Sequence, residues 1–165
     1  MALFFISGLE NSGKTTIVLK INGEDTSVIS PTLGFNIKTI KYQISVGWKN
    51  YWPIETKKEE ENKQRSAQFK QAAEYLADDG LVWVVDSSDV RRLDDCKLEL
   101  DNLLKEERLS GASLLILANK QDIQGALTPA EIAKALNLEA MDRTRHWKIV
   151  GCSAYTGEGL LAGFD

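Results

Sequence analysis

Cysteine and histidine are nearly absent from this chain of 165 residues: Cys96, Cys152 and His146 are the only ones. The two cysteines show no metal-ligand spacing, and they read as reduced core thiols of a cytoplasmic protein rather than as a disulfide. Nothing near His146 in sequence suggests a nucleophile, so it reads as a surface or strand-edge residue. Positive charge is also in short supply. A net charge of −4 argues against a nucleic-acid surface and against a polybasic membrane anchor. No apolar run is long enough to cross a bilayer. No charged leader with a cleavage site is read, and Ala2 stands where N-myristoylation would need glycine, so no intrinsic membrane anchor is expected. Repeats and low-complexity tracts are missing too. With 43% hydrophobic and 27% charged residues, the chain reads as one monomeric domain over residues 1–165.

What is present is concentrated near the amino end. Gly8-Leu9-Glu10-Asn11-Ser12-Gly13-Lys14-Thr15 follows the apolar run Leu3–Ile6 and opens onto Thr16-Ile17-Val18-Leu19. This is G-x-x-x-x-G-K-T between a strand and a helix, the context the motif requires. The glycines let the backbone curl so that its N–H groups point inward, and the following helix adds the positive end of its dipole. Lys14 is expected to reach the β- and γ-phosphates of a nucleotide, and the Thr15 hydroxyl to hold Mg²⁺.

The remaining pattern alternates between strand and helix, which predicts α/β architecture: a mostly parallel six-stranded sheet with helices on both faces, as in P-loop NTPases. Strands are expected at Leu3–Ser7, Gly34–Tyr42, Leu81–Val85, Leu114–Ala118 and around Ile149-Val150. Gln43–Val46 reads as a short continuation or return. A helix is expected at Thr16–Ile21. Leu93, Cys96, Leu100, Leu103 and Leu104 form a helical stripe. Thr128-Pro129-Ala130-Glu131 is a capping box with proline at the first helical position. Residues 57–65 read as a solvated helix, and Phe69, Ala72, Ala73 and Leu76 as an amphipathic one.

Two more elements bear on chemistry. Asn119-Lys120-Gln121-Asp122 follows a strand at the carboxyl edge, where open α/β sheets bind ligands. A carboxylate at Asp122 can accept two N–H bonds from a guanine edge, whereas adenine presents the opposite pattern. Asn119 can bridge loops, and the Lys120 stem can lie along the ring. Cys152-Ser153-Ala154 offers a backbone N–H for the guanine carbonyl, or is a plain strand-end turn. Thr32, in Pro31-Thr32-Leu33-Gly34, is a candidate second hydroxyl for Mg²⁺ and a contact for the γ-phosphate.

Taken in this order, the four motifs resemble the Ras-like small GTPases. Ser30–Thr39 and Val84-Val85-Asp86-Ser87-Ser88-Asp89 look like the ADP-ribosylation-factor branch, and Asn22–Asp25, Glu106–Leu109 and His146-Trp147 are most similar to its Arf-like protein two subgroup. The resemblance spans two blocks, 1–47 and 80–165. It implies a GTP/GDP switch with Mg²⁺, acting through effector, exchange-factor and activating proteins, with tubulin-folding cofactors and carriers of lipidated proteins as the subgroup's partners. It also implies that Lys14 and Thr32 serve the hydrolytic step.

The pattern departs from that family at its third strand, where D-x-x-G-Q is the rule. Its counterpart here is Ser45-Val46-Gly47-Trp48. Serine stands for the aspartate, Gly47 is left as a candidate γ-phosphate contact, and the water-orienting glutamine has no counterpart. A charged, helical insert over about 53–79 stands where the second switch would be. Neither the family's amino-terminal amphipathic helix nor its closing helix is read. Slow or impaired GTP hydrolysis is therefore expected. The alternative is a GTP-binding interaction module that does not hydrolyse. A third reading, an ATP-dependent enzyme using Asp86 as its metal carboxylate, leaves Asn119–Asp122 unexplained.

Overall fold

Alternating apolar runs and amphipathic stripes assemble into one six-stranded sheet covered on both faces. The structure, a computed structural model, describes residues 2–30, 35–40, 44–49, 80–141 and 143–164; the readings at Pro31–Gly34 and over 53–79 lie outside them. The strands are β1 (Ala2–Gly8), β2 (Phe35–Ile40), β3 (Ile44–Lys49), β4 (Gly80–Asp86), β5 (Ser113–Asn119) and β6 (Trp147–Gly151). Their order across the sheet is β2-β3-β1-β4-β5-β6. All neighbours are parallel except β2 and β3, which pair antiparallel. The helices are α1 (Lys14–Ile21), α2 (Leu93–Leu104) and α3 (Pro129–Ala135).

The sheet's two faces are built from alternate residues of the same strands, as a pleat of period two requires. On one face, Leu81, Trp83 and Val85 of β4 join Leu114 and Ile116 of β5, covered by Leu93, Cys96, Leu100 and Leu103 of α2 and Ile132 of α3. On the other, Ile6, Val82, Val84, Leu115 and Leu117 meet Ile17 and Val18 of α1, with Leu160 and Phe164 from the turns after β6. The capping box forms as read: Glu131 N–H donates to Thr128 Oγ1 at 3.3 Å, and Thr128 N–H to Glu131 Oε2 at 2.9 Å. Both cysteines are free and buried, and burial pushes their thiols up to about 11 for Cys96 and about 12 for Cys152. Neither supplies a thiolate nucleophile near neutral pH. His146 is exposed, and its carbonyl accepts from Leu114 N–H at the start of the sheet.

One element departs from the expectation. The return strand runs to Lys49, three residues beyond Val46. Its ladder continues on both sides, Phe35 opposite Lys49 and Ile6 opposite Trp48. A strand with a neighbour on each edge is held by those neighbours, whatever the local propensity of Gly47-Trp48-Lys49.

Leu100 is 1% exposed, so Leu100→Ala should cost about 2–5 kcal/mol through the cavity it opens. Thr128→Ala should cost about 1 kcal/mol, the worth of one cap. Urea titration checks both, and the core variant should be the more damaging.

Candidate nucleotide site

Because β1, β4, β5 and β6 are parallel, the loops leaving Gly8, Asp86, Asn119 and Gly151 emerge on one edge of the sheet. The first folds as a cradle. Gly8 has φ +153° and passes so close to the Val84 carbonyl that a Cβ would overlap it. Asn11 adopts the left-handed conformation at φ +57°, uncommon for a side-chain-bearing residue and characteristic of constrained sites. Leu9 is buried in the core, Glu10 is half-buried, Asn11 is exposed and Ser12 is buried. Gly13 caps α1 in the left-handed region, and Lys14, Thr15 and Thr16 form the first turn.

Lys14 is 2% exposed, and its ammonium fills the cradle's interior. It donates to Leu9 O at 2.6 Å, Gly8 O at 3.0 Å and Ser12 Oγ at 3.3 Å. Burial is the main influence and pushes its pKa down to about 7; Glu10 opposes that shift and Arg92 adds to it. Arg92, in the turn just before α2, also donates to Glu10 O at 3.2 Å, tying the loop to a residue 82 positions away.

The third loop is fastened directly to the cradle. Asn119, 1% exposed, donates through Nδ2 to Ser12 O at 2.9 Å. Its Oδ1 accepts the Ala154 N–H at 2.9 Å, so the N–H expected to be offered to a base is engaged with Asn119 in this structure. A Cβ on Gly13 would overlap Asn119 Nδ2, so glycine there serves close approach as well as φ +99°. Lys120, left-handed at φ +66°, pairs with Asp86 Oδ2 at 2.7 Å. Burial disfavours the Asp86 carboxylate, but hydrogen bonds from Lys120 and Ser88 outweigh it and hold its pKa below the usual value. Asp86 is thus a strand-end residue that caps no helix, its oxygens engaged by Lys120 and by Ser88 N–H and Oγ. Asp122 accepts from Ser153 Oγ at 2.6 Å, and Ser153 Oγ accepts from Thr156 N–H. Cys152 sits behind, its N–H on Ala118 O.

These loops bound a cleft of about 630 Å³, within the range of small-molecule sites. Gly13, Thr16, Asn119, Lys120, Asp122 and Ala154 line it, as do Asp25, Thr26, Ser27, Ile29, Ile123 and Tyr155, which the motif reading missed. Only Asp25-x-Ser27 carried a local signal, and it forms: Ser27 N–H and Oγ both donate to Asp25, lowering its pKa. Gly47 is not brought to this edge. It lies within β3 opposite Phe5, three residues back from Gly8, or about 10 Å along a strand. The extra length of β3 carries it there, and Ser45 lies farther back, opposite Leu3. Thr32 lies outside the described residues.

Comparisons with known proteins bear on the family and the fold. The model of the ADP-ribosylation factor family matches residues 2–165. ADP-ribosylation factor-like protein 2 of Arabidopsis thaliana is 73% identical over 158 residues, covering 96% of this chain and 80% of that protein. The Dictyostelium discoideum protein of the same description is 52% identical, with the same coverage. Among solved structures, the Arl6 BBS3 small GTPase from Trypanosoma brucei, with a bound nucleotide analogue GppNp, superposes with a TM-score of 0.77. It shares 27% identity, over 99% of this chain and 94% of that one.

The state of Lys14 makes a pH prediction. Its folded pKa lies below the unfolded value, so the unfolded chain holds the extra proton and the ligand-free fold gains stability as pH rises above 7. A polyphosphate restores the charged form, so GDP binding should take up close to one proton at about pH 8, and the uptake should fall away toward net release near pH 6, where Lys14 is already charged and the terminal phosphate gives up its own proton. Calorimetry in buffers of different ionisation enthalpy measures this. Uptake that does not change with pH would remove Lys14 from the phosphate contact.

Proposed function

The chain belongs to the ADP-ribosylation factor family, within its Arf-like protein 2 subgroup, and from that premise we propose a GTP/GDP switch whose hydrolytic step is slow. The observation that carries this reading is the Asn119 side chain, bonded at once to Ser12 of the phosphate loop and to Ala154 beside Asp122. The loops proposed to take phosphate and base are thereby tied to one another. In this reading the Gly8–Thr16 backbone and Lys14 take the phosphates, Asp122 accepts guanine N1 and N2, and Lys120 lies along the ring with its ammonium anchored on Asp86. Cys152 and Ser153 support the base loop from behind.

Among the described residues no three His, Cys, Asp or Glu side chains stand together as a metal site. The protein's share of a Mg²⁺ site would be the Thr15 and Thr32 hydroxyls, which suits a cation that keeps several waters and otherwise takes phosphate oxygens. When bound, Mg²⁺ neutralises charge on those oxygens. Lys14 does the same from the protein side and orients the γ-phosphate. No residue of the sequence matches the water-orienting glutamine, and Gly47 is inside the sheet, so positioning of the attacking water is the weak step. That placement also favours a second reading, a GTP-binding interaction module without turnover. An ATP-dependent enzyme fits less well, since Asp86 already serves Lys120 and Ser88. We place the protein in the cytoplasm, with effector, exchange and activating proteins as partners, tubulin-folding cofactors and carriers of lipidated cargo among them.

Denatured protein analysed by chromatography should release guanine nucleotide, and release of adenine nucleotide instead would overturn the reading. Single-turnover hydrolysis with excess protein should run below about 10⁻⁴ s⁻¹. No phosphate above the uncatalysed rate would favour the interaction module. Asp122→Asn should shift preference from guanine toward xanthine nucleotides, because an amide donates where a carboxylate only accepts. Unchanged selectivity would take Asp122 out of the base site.

A further inference from the structure

Of the four residues Asn119–Asp122, Gln121 alone does not line the cleft. Its side chain points the other way, into a junction of three other chain segments. Nε2 donates to Ser87 Oγ at 3.0 Å, at the end of β4, and to Leu127 O at 2.8 Å, in the approach to α3. Its backbone N–H donates to Cys152 O at 3.1 Å, just past β6. The segments it joins are also knit to each other: Ser87 is fully buried, its N–H on Asn119 O and its carbonyl accepting from Leu127 N–H. Space for the Gln121 stem exists because position 151 is glycine. A Cβ there would come within 2.9 Å of Pro129 Cγ and 3.4 Å of Gln121 Cγ.

Asp122, by contrast, is exposed, and Ser153 Oγ is the donor seen on its carboxylate. A single hydroxyl limits one oxygen, and Ile123 N–H on Lys120 O closes a turn over Gln121 and Asp122, but neither sets the direction in which that turn faces the rest of the site. Gln121 supplies that direction, because both its amide hydrogens and its N–H are bonded to three different segments. An amide is suited to this work: it presents two donors from one planar group, and each meets an acceptor here.

We infer that Gln121 is a positioning residue of the base site, which holds the Asp122 carboxylate at the angle needed to accept two guanine N–H groups together. The inference rests on the guanine reading above. A carboxylate tilted from that angle keeps one bond and loses the other. The penalty should therefore fall on a base with both N1–H and the N2 amine, and less on hypoxanthine, which lacks the amine.

The test uses the full chain and two probes, GDP and inosine diphosphate, with Gln121→Met, which keeps side-chain length and removes both donors. The GDP dissociation rate should rise about tenfold, the scale of two modest hydrogen bonds, and that of inosine diphosphate clearly less. The ratio of the two affinities then shifts, which loss of stability alone would not produce. Equal rises for both probes, or an unchanged GDP rate, would overturn the inference. Should Gln121→Met fail to fold, Gln121→Glu applies the same criterion with an isosteric side chain whose carboxylate cannot donate. Wild-type protein that binds neither probe would instead overturn the guanine reading itself.

Discussion

The arrangement depends on one buried amide. Asn119 spends its donor on the phosphate loop and its acceptor on the loop after β6, so neither end is left unpaired in the interior. An orphaned buried polar group costs about 1–3 kcal/mol, and this side chain is 1% exposed. The two loops are therefore held in register by a penalty that any separation would incur. The same contact dictates its surroundings. It needs a glycine at position 13 for steric reasons, and it needs β1 and β5 near enough in the sheet for a side chain on one to reach the loop of the other.

Around that amide, charge is arranged ahead of any ligand. Lys14 occupies the cradle with carbonyls and a hydroxyl as its partners, an arrangement that satisfies its donors but, among the described residues, brings no carboxylate into contact with its charge. In the proposed function a polyphosphate would supply what is missing, so that binding relieves a cost already present in the fold. The base loop is treated differently. Lys120 is tethered by Asp86 and Asp122 by Ser153, which removes side-chain freedom beforehand and lowers the ordering cost of association. One half of the site is thus primed by the desolvation of a buried cation and the other by pre-organisation.

Much of this was legible along the chain because it is local. The strand before Gly8, the stripe Leu93–Leu103 and the box at Thr128–Glu131 each declare themselves within a dozen residues, and each forms. What escaped reading lacked a local signature. The Gln121 side chain looks like any polar group in a turn; its importance comes from Ser87 and Leu127, which lie 34 and 6 positions away. Nothing beside Asp86 in sequence announces Lys120, which reaches it across the sheet edge. The return strand extends past Val46 because Trp48 is paired on both sides and Lys49 with Phe35, rather than through their own preference.

By itself, then, the order of residues determined the period of each element, the curl of a glycine-rich turn and the chemical type of each candidate ligand, since these follow from steric and hydrogen-bonding properties of neighbours in sequence. Only the folded sheet decided which of those groups share an edge. It set Asn119 against Gly13 and Ser12, turned Gln121 away from the cleft, and left Gly47 within the ladder. The physical reason is that strand register and parallel order are set by cooperative burial over the whole core. That is a property of many distant side chains at once, which no short window of sequence contains.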